Sequence, residues 1–216
     1  MNILYLHQYF NTPEMPGSTR SYEFAKRLVS DGHNVYMVTT NWQSKSKKKF
    51  SIENGIKVFW GPIKYSNKMN FCKRLVSFLS YIIYSLRIGY SLKFDLIIAS
   101  STPITVGIPA IILKKIKSAK LIFEVRDVWP QLPIAIGAIK SKIIIKTLRA
   151  LERKIYLESD KIIALSKGMK KEILKVIINE KKVCVITNLC DIKNFNINKR
   201  VGLNFRKNFL NIKNEP

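Results

Sequence analysis

The feature that most constrains this fold is the alternation of short apolar runs with stretches whose apolar residues recur every three or four positions. Strands buried in a parallel sheet read as continuous apolar runs, and amphipathic helices give the second spacing. The predicted strands cover residues 3–6, 35–38, 56–60, 96–99, 121–124, 162–165 and 183–186. We therefore expect an α/β fold with a doubly wound, mostly parallel, Rossmann-like sheet.

Helical segments fill the gaps between these strands. They are expected between the first two strands, at about 70–91, just after residue 103, at 141–157 and from residue 166 onward. Past residue 191 the sequence becomes rich in Asn and Lys and loses this pattern. The sequence therefore predicts one domain over residues 1–195, followed by a tail or truncated interdomain linker over 196–216.

The chain is strongly basic, with 38 Lys and Arg against 14 Asp and Glu and a formal net charge of +24. Such a surface attracts polyanions, among them nucleic acid, anionic lipid and sugar nucleotides. The richness in Lys, Ile and Asn is also typical of an AT-rich genome, so the charge alone selects no partner. We exclude nucleic acid as a partner because the sequence has no recognition motif for it.

The cysteines favour a reducing compartment. Cys72, Cys184 and Cys190 form no CxxC pair and, being odd in number, no complete disulfide framework. This usage is typical of cytoplasmic proteins. Because His7 and His33 are the only histidines that could complete a ligand set, we expect no metal site.

The relation to membranes is predicted from the apolar segments. Residues 2–7 read as a core strand rather than a signal peptide, and no apolar run reaches the about 20 residues that span a bilayer. The helix at about 70–91 nevertheless holds more apolar residues than one stripe needs, together with Tyr81, Tyr84 and Tyr90. We expect a cytoplasmic protein that lies peripherally on the inner face of the plasma membrane through this helix. Burial against the sheet and neighbouring helices is the alternative.

Polar residues follow the first strand at its carboxyl end, where ligands bind in such sheets. His7 comes first, and Gly17, Ser18 and Arg20 lead into the next helix. Glycine before a helix N-terminus lets backbone N–H groups approach an anion, and Arg20 adds a bidentate phosphate donor. A helix cap is the competing interpretation. The G-x-G-x-x-G pattern is absent and no acidic residue ends the second strand, which argues against an NAD enzyme.

Two further strand ends carry candidate residues. Ser101 and Thr102 follow the fourth predicted strand, where helix capping is the alternative. Glu124, Arg126 and Asp127 lie at the end of the fifth. A charged residue leaving a buried strand costs desolvation unless it is paired, so Glu124 or Asp127 is expected to meet Arg126 or a ligand. A purely structural salt bridge is the alternative.

Five short motifs follow one another along the chain. They are His7-Gln8-Tyr9-Phe10 with Pro16-Gly17 and Arg20, Gly32-His33-x-Val35, Glu124-Val125-Arg126-Asp127-Val128-Trp129-Pro130, Ser166-Lys167-Gly168-Met169, and Asn188-Leu189-Cys190-Asp191 with Phe195. Their order and spacing resemble family 4 glycosyltransferases over about residues 1–195. The resemblance is to the bacterial fucosamine-transferase-like enzymes that build O-antigen and capsule polysaccharides.

The resemblance implies the GT-B architecture, in which two Rossmann-like domains face each other across a cleft. This chain would be the N-terminal, acceptor-side domain. It further implies retaining transfer from a nucleotide sugar to a lipid-linked glycan acceptor, without an essential metal or other cofactor. Positive groups would stabilise the leaving diphosphate.

The family's functional positions carry over to named residues of this sequence. The resemblance implies that Gly17 contacts the donor diphosphate, where Ser18 and Arg20 are the further candidates for phosphate binding. It also implies that Arg126 and Asp127 face the cleft near the reacting sugar, and we take these two as the catalytic residues. Trp129 would be a stacking wall, although packing beneath the next helix explains it equally well. The residues implied on the acceptor side of the cleft are His7, Ser101, Thr102, Glu124, Trp129 and Ser166.

The sequence departs from the family in two ways. Only Gly17 is present where the family has two adjacent glycines. The C-terminal domain, with its diphosphate-binding Arg and Lys and its E-x7-E motif, is missing. We therefore expect no transfer by this chain alone and activity only with a separate C-terminal domain chain. The alternative function is a non-catalytic domain that binds acceptor lipid or a protein partner.

Overall fold

The computed structural model describes residues 1–41, 49–66, 69–131, 134, 137 and 139–188. They form an eight-stranded sheet in the order β3-β4-β2-β1-β5-β6-β7-β8, parallel except for β3 against β4. The strands are β1 Asn2–Leu6, β2 Asn34–Thr40, β3 Phe50–Glu53, β4 Ile56–Gly61, β5 Leu96–Ser100, β6 Lys120–Val125, β7 Lys161–Ala164 and β8 Val183–Val185. The α/β prediction is confirmed, while the tail expected over 196–216 lies outside the described residues.

Five α-helices connect the strands of the described part of the chain. They are α1 Arg20–Ser30, α2 Phe71–Ser91, α3 Gly107–Lys117, α4 Lys142–Glu158 and α5 Lys167–Val176. Single turns of 3₁₀-helix cover Ile104–Val106 and Glu180–Lys182. The starts of α2 and α5 agree with the sequence prediction, and the side chains of Asn70 and Ser166 cap these two helices.

Two apolar clusters cover opposite faces of the sheet. Alternate residues of β1 belong to different clusters, Ile3 and Tyr5 to one and Leu4 and Leu6 to the other. Helix α1 packs on the first face, and helices α2 to α5 supply residues to the second. Helices on both faces confirm the doubly wound arrangement.

Strand β3 is missing from the predicted set. The turn before β4 contains Asn54 and Gly55, whose φ angles are 48° and 81°. Two successive positive φ angles define the tight turn that joins antiparallel strands, and Asn-Gly is its preferred sequence. This dipeptide is the signal that could have identified β3.

The chain reverses its winding direction at β1. From β1 the chain runs outward on one side to β2, while β5 lies on its other side and continues to β6, β7 and β8. The carboxyl ends of β1 and β5 therefore border the crevice where ligands bind in doubly wound sheets. His7, Ser101 and the turn between β1 and α1 lie at this edge.

Helix α2 presents a different face from the one that the sequence suggested. Tyr81, expected at a membrane interface, is fully buried, and its hydroxyl donates to the Val38 carbonyl at 2.9 Å. Burial raises the pKa of Tyr81. Within the described part of the chain, no helix has the length and apolar content needed to cross a membrane.

Candidate functional site

The turn between β1 and α1 is shaped by a glycine above a buried amide. Gly17 has a φ of +130°, and a Cβ atom at this position would lie 2.4 Å from the side-chain nitrogen of Asn11. Asn11 is itself buried, as is Gln8 at the end of β1. Only glycine permits both the backbone angle and this close approach. The turn thereby brings the Ser18 hydroxyl to the start of α1.

Arg126 connects this turn to the end of β6. Its guanidinium donates to the Ser18 Oγ at 2.8 Å and lies 3.3 Å from the His7 Nε2. Its backbone N–H donates to the Ser101 Oγ at 2.9 Å. Residues that follow β1, β5 and β6 thus meet around one half-buried cation. The sequence predicted these residues at one edge, and the structure brings them into direct contact.

His7 is neutral in this arrangement. Burial, aided by the positive charge of Arg126, lowers the pKa of His7 to about 3. Because a guanidinium can only donate, the His7 Nε2 must accept and the proton resides on Nδ1. That buried Nδ1 has no hydrogen-bond partner among the described residues.

We predict that His7 makes the domain less stable in mild acid. The pKa of His7 is about 6.5 in the unfolded chain and about 3 in the folded domain. Between these values the unfolded chain binds a proton at His7 and the folded domain does not. The free energy of unfolding therefore decreases as the pH falls from 6.5 toward 3. Between pH 6.5 and 4.5 this group should remove about 2 kcal/mol from the free energy of unfolding.

Urea unfolding of the wild type and of His7→Gln at several pH values measures this effect. The difference between the two proteins should widen with the slope of a single proton below pH 6.5. Parallel pH profiles would show that the buried imidazole binds protons equally well in both states.

Glu124 and Arg20 form a buried ion pair beneath the turn. Arg20 Nε and Glu124 Oε1 are 2.9 Å apart, and the side chains are 8% and 1% exposed. The second Glu124 oxygen accepts from the Ser100 hydroxyl at 2.5 Å. The sequence predicted that Glu124 or Asp127 meets Arg126 or a ligand, and the structure pairs Glu124 with Arg20.

The other nitrogens of Arg20 hold the chain that leaves β8. They donate to the carbonyl oxygens of Thr187 and Ile186 at 2.7 and 2.8 Å. The guanidinium carbon also lies 4.5 Å from the centre of the Phe24 ring. All three nitrogens of Arg20 therefore have partners within the domain, and its predicted phosphate contact stays a prediction.

Asp127 lies beside the strained end of β5. Its carboxylate accepts from the Thr102 hydroxyl at 2.8 Å. Thr102 has a φ of 101°, which is rare for a residue with a branched Cβ. Such strain is found where the surrounding structure fixes a functional geometry. Thr102 and Asp127 thus form a second polar pair at the edge that holds Arg126.

Two predicted cleft residues have structural partners. The Ser166 hydroxyl accepts from the Met169 N–H at 3.1 Å and caps α5. Trp129 is half-buried and packs against the core on the face of α2 to α5. Of the two interpretations of Trp129, the packing one agrees with this position.

Part of the final motif falls outside the described residues. Asn188 is described, whereas Leu189, Cys190, Asp191 and Phe195 are not. Within the described ranges, no three His, Cys, Asp or Glu side chains come together as a metal site would require.

The buried amides behind the turn were not predicted from the sequence. Neither polar atom of the Gln8 side chain, nor the Asn11 Oδ1, has a hydrogen-bond partner among the described residues. The available signal was a pair of polar residues directly after an apolar strand, at His7 and Gln8.

A family comparison identifies the domain. Residues 17–194 match the model of Glycosyltransferase Family 4. The chain belongs to glycosyltransferase family 4. No curated protein sequence matches it significantly.

Several solved structures share the fold of this family 4 domain. Sucrose-phosphate synthase from Thermosynechococcus elongatus superposes with a TM-score of 0.68 and 14% identity, over 94% of this chain and 52% of that one. Anabaena HepE in complex with UDP-glucose gives a TM-score of 0.61 and 15% identity, over 99% and 51%. UDP-GlcNAc 2-epimerase from Neisseria meningitidis gives 0.55 and 13%, over 99% and 55%.

These superpositions show a shared fold, a Rossmann-like domain of the GT-B type. The family 4 chain spans about half the length of each of these three structures.

Proposed function

We propose that this family 4 domain is the acceptor-side half of a retaining glycosyltransferase. The reaction transfers a sugar from a nucleotide-sugar donor to a lipid-linked glycan acceptor during synthesis of a surface polysaccharide of the O-antigen or capsule type. The protein works in the cytoplasm at the inner face of the plasma membrane. The family match and the order of the motifs support this proposal.

The contact between Arg126 and Ser18 is the observation that carries it. This contact holds a cation against the N-terminus of α1, beside a turn whose backbone requires glycine. A helix N-terminus and a guanidinium both stabilise a diphosphate. During transfer the departing nucleoside diphosphate gains negative charge, and a fixed cation next to it lowers the barrier. The donor class is suggested by HepE, whose structure contains UDP-glucose.

Neutral His7 and the Thr102–Asp127 pair complete the proposed site. His7 keeps Arg126 in position through Nε2 and presents an N–H on Nδ1. The Asp127 carboxylate, half-buried beside Arg126, suits an acceptor of hydrogen bonds from sugar hydroxyl groups. In this proposal Arg126 acts on the leaving group and Asp127 orients the reacting sugar, without any metal. Ser101 positions Arg126 through its backbone N–H, and Glu124 positions Arg20 through the buried ion pair.

We propose that a second Rossmann-like domain supplies most contacts to the donor, as a GT-B cleft requires. The purified chain should then transfer no sugar from UDP- or GDP-sugars to a polyprenyl-diphosphate-linked acceptor. Activity should appear when a donor-binding domain of the same family is added or fused. Turnover by the single chain would contradict the proposal that a second domain is needed to bind the donor. Binding of the acceptor lipid without transfer in any combination would favour the non-catalytic alternative.

In the reconstituted enzyme, Arg126→Lys and Asp127→Asn are each expected to lower the transfer rate by one to two orders of magnitude. A tenfold loss corresponds to about 1.4 kcal/mol of transition-state stabilisation, the scale of one charged contact. The exposed Arg153→Lys and Asp31→Asn are the matched controls and should keep full activity. Rates and thermal midpoints should be measured together. If activity and stability fall in parallel, Arg126 and Asp127 serve the fold and not the reaction.

A further inference from the structure

Helix α2 exposes apolar side chains on the side that faces away from the domain. The residues that it buries against the domain are Ser77, Tyr81, Ser85 and Gly89. Five of its large apolar residues point to solvent, with exposed fractions of 45% for Leu75, 62% for Val76, 50% for Leu79, 68% for Ile83 and 68% for Tyr90. Tyr84, Leu86 and Ile88 are half-buried and pack against the core. An ordinary surface helix has the opposite arrangement, with its apolar stripe against the core.

The five exposed residues lie on one side of the helix, and we call them the α2 stripe: Leu75, Val76, Leu79, Ile83 and Tyr90. At 3.6 residues per turn these positions fall within an arc of about 100° on the helix surface. The buried serines, tyrosine and glycine lie on the opposite arc. Single exposed apolar residues are common on protein surfaces, whereas a cluster of them marks an interaction site.

The charged side chains of helix α2 have one sign. Lys73 and Arg87 are exposed at the edges of the α2 stripe, and helix α2 contains no Asp or Glu. At the end of the helix, the Lys117 Nζ lies 2.7 Å from the Tyr90 carbonyl oxygen and 5.0 Å from the centre of its ring. The neighbouring helix α3 exposes Ile112 and Ile116 as well. The stripe is therefore an apolar surface bordered by cations.

We propose that the α2 stripe docks this domain onto an anionic lipid surface, with α2 lying in the plane of the interface. Aliphatic side chains enter the boundary of the acyl chains, Tyr90 sits at the headgroup level, and the bordering cations meet lipid phosphates. The net charge of +24 adds a general attraction to the same surface. The biological reason rests on the proposed function, because a lipid-linked acceptor lies at that surface.

A second copy of the chain fits the α2 stripe less well. Two stripes packed together would bring Lys73 and Arg87 of each copy close to the same cations of the other. Because α2 offers no carboxylate to pair with them, this contact would be repulsive. Anionic headgroups supply the missing negative charge.

Vesicle flotation without any sugar substrate tests the proposal separately from the proposed function. The wild type should float with phosphatidylcholine vesicles that contain phosphatidylglycerol, and much less with phosphatidylcholine alone. The double variant Leu79→Ser/Ile83→Ser should lose roughly tenfold or more of its partition coefficient. Lys73→Gln/Arg87→Gln should weaken binding and make it less sensitive to salt.

Matched controls use residues of the same type outside the α2 stripe. Ile52→Ser/Ile178→Ser replaces two well-exposed isoleucines, and Lys26→Gln/Lys154→Gln removes two exposed charges on other helices. Both should float like the wild type. Equal losses in these controls, or binding that ignores lipid charge and the stripe variants, would overturn the proposal.

A second measurement uses Cys72, an exposed thiol at the start of α2. In a Cys184→Ser/Cys190→Ser background, a polarity-sensitive fluorophore on Cys72 should shift to shorter wavelength when anionic vesicles are added. This readout does not require the stripe variants to fold. An unchanged spectrum would reject lipid docking. A wild type that is dimeric in solution, together with a monomeric Leu79→Ser/Ile83→Ser variant, would identify the stripe as a contact between two copies of the chain and would also reject lipid docking.

Discussion

Replacing Arg20 by methionine is expected to lower the free energy of unfolding by about 3–5 kcal/mol, the largest single-residue effect predicted for this domain. Methionine keeps an unbranched apolar side chain but removes the guanidinium and its charge. Glu124, whose side chain is 1% exposed, would then be left buried without a cation, and among the described residues its side chain would keep only the Ser100 hydroxyl as a hydrogen-bond donor. The carbonyls of Ile186 and Thr187 would lose their donors at the same time. Urea unfolding followed by circular dichroism measures the loss.

Arg27, which also lies in α1, provides the control, because its ion pair differs from that of Arg20 mainly in solvent exposure. It pairs with Glu23 at the same distance of 2.9 Å, but the two side chains are 61% and 38% exposed. Arg27→Met should cost no more than about 0.5 kcal/mol. The double variant Arg20→Met/Glu124→Gln should recover part of the loss, because it no longer buries an unpaired charge. Similar values for Arg20→Met and Arg27→Met would refute the buried-pair interpretation.

Gly17→Ala is expected to destabilise the domain by about 2–4 kcal/mol, from backbone strain and from displacement of a buried side chain. The φ of +130° is unfavourable for alanine, and the new methyl group would press on the Asn11 amide. Asn11 is buried and has little room to retreat. Chemical unfolding of the variant gives the magnitude.

Gly32→Ala separates the two contributions. Gly32 also has a positive φ, +81°, but nothing lies within 4 Å of an added Cβ atom. This control should lose only about 1 kcal/mol, the cost of the backbone angle. Equal losses at both glycines would mean that the Asn11 contact contributes nothing. If Gly17→Ala in the reconstituted enzyme also raises the donor KM, the turn contacts the donor as proposed.

The sheet could be predicted from sequence because parallel strands are marked by continuous apolar runs. Each predicted strand is present, since Ile, Leu and Val at those positions have no other way to be buried. Strand β3 was missed because Phe50 and Ile52 are exposed at the edge of the sheet and alternate with polar residues. Its signal lay in the Asn54–Gly55 turn instead.

The edge that carries the site could also be predicted, but the pairing within it could not. Parallel topology alone brings the carboxyl ends of β1, β5 and β6 together. Whether Glu124 meets Arg20 or Arg126 depends on sheet twist and on which face each side chain takes. For α2, counting apolar residues gave no information on orientation, because the domain buries serines and Tyr81 in preference to leucines.

The contacts of Arg20 have a consequence for the order in which the chain can fold. They join residue 20 to Glu124, 104 positions away, and to Thr187 and Ile186, 167 and 166 positions away. Contacts of such high sequence separation form late, after the loops between them have closed. On the ribosome, α1 cannot complete its anchoring until β8 has emerged. The first βαβ unit therefore lacks its stabilising contacts through Arg20 until nearly the whole described domain has been synthesised.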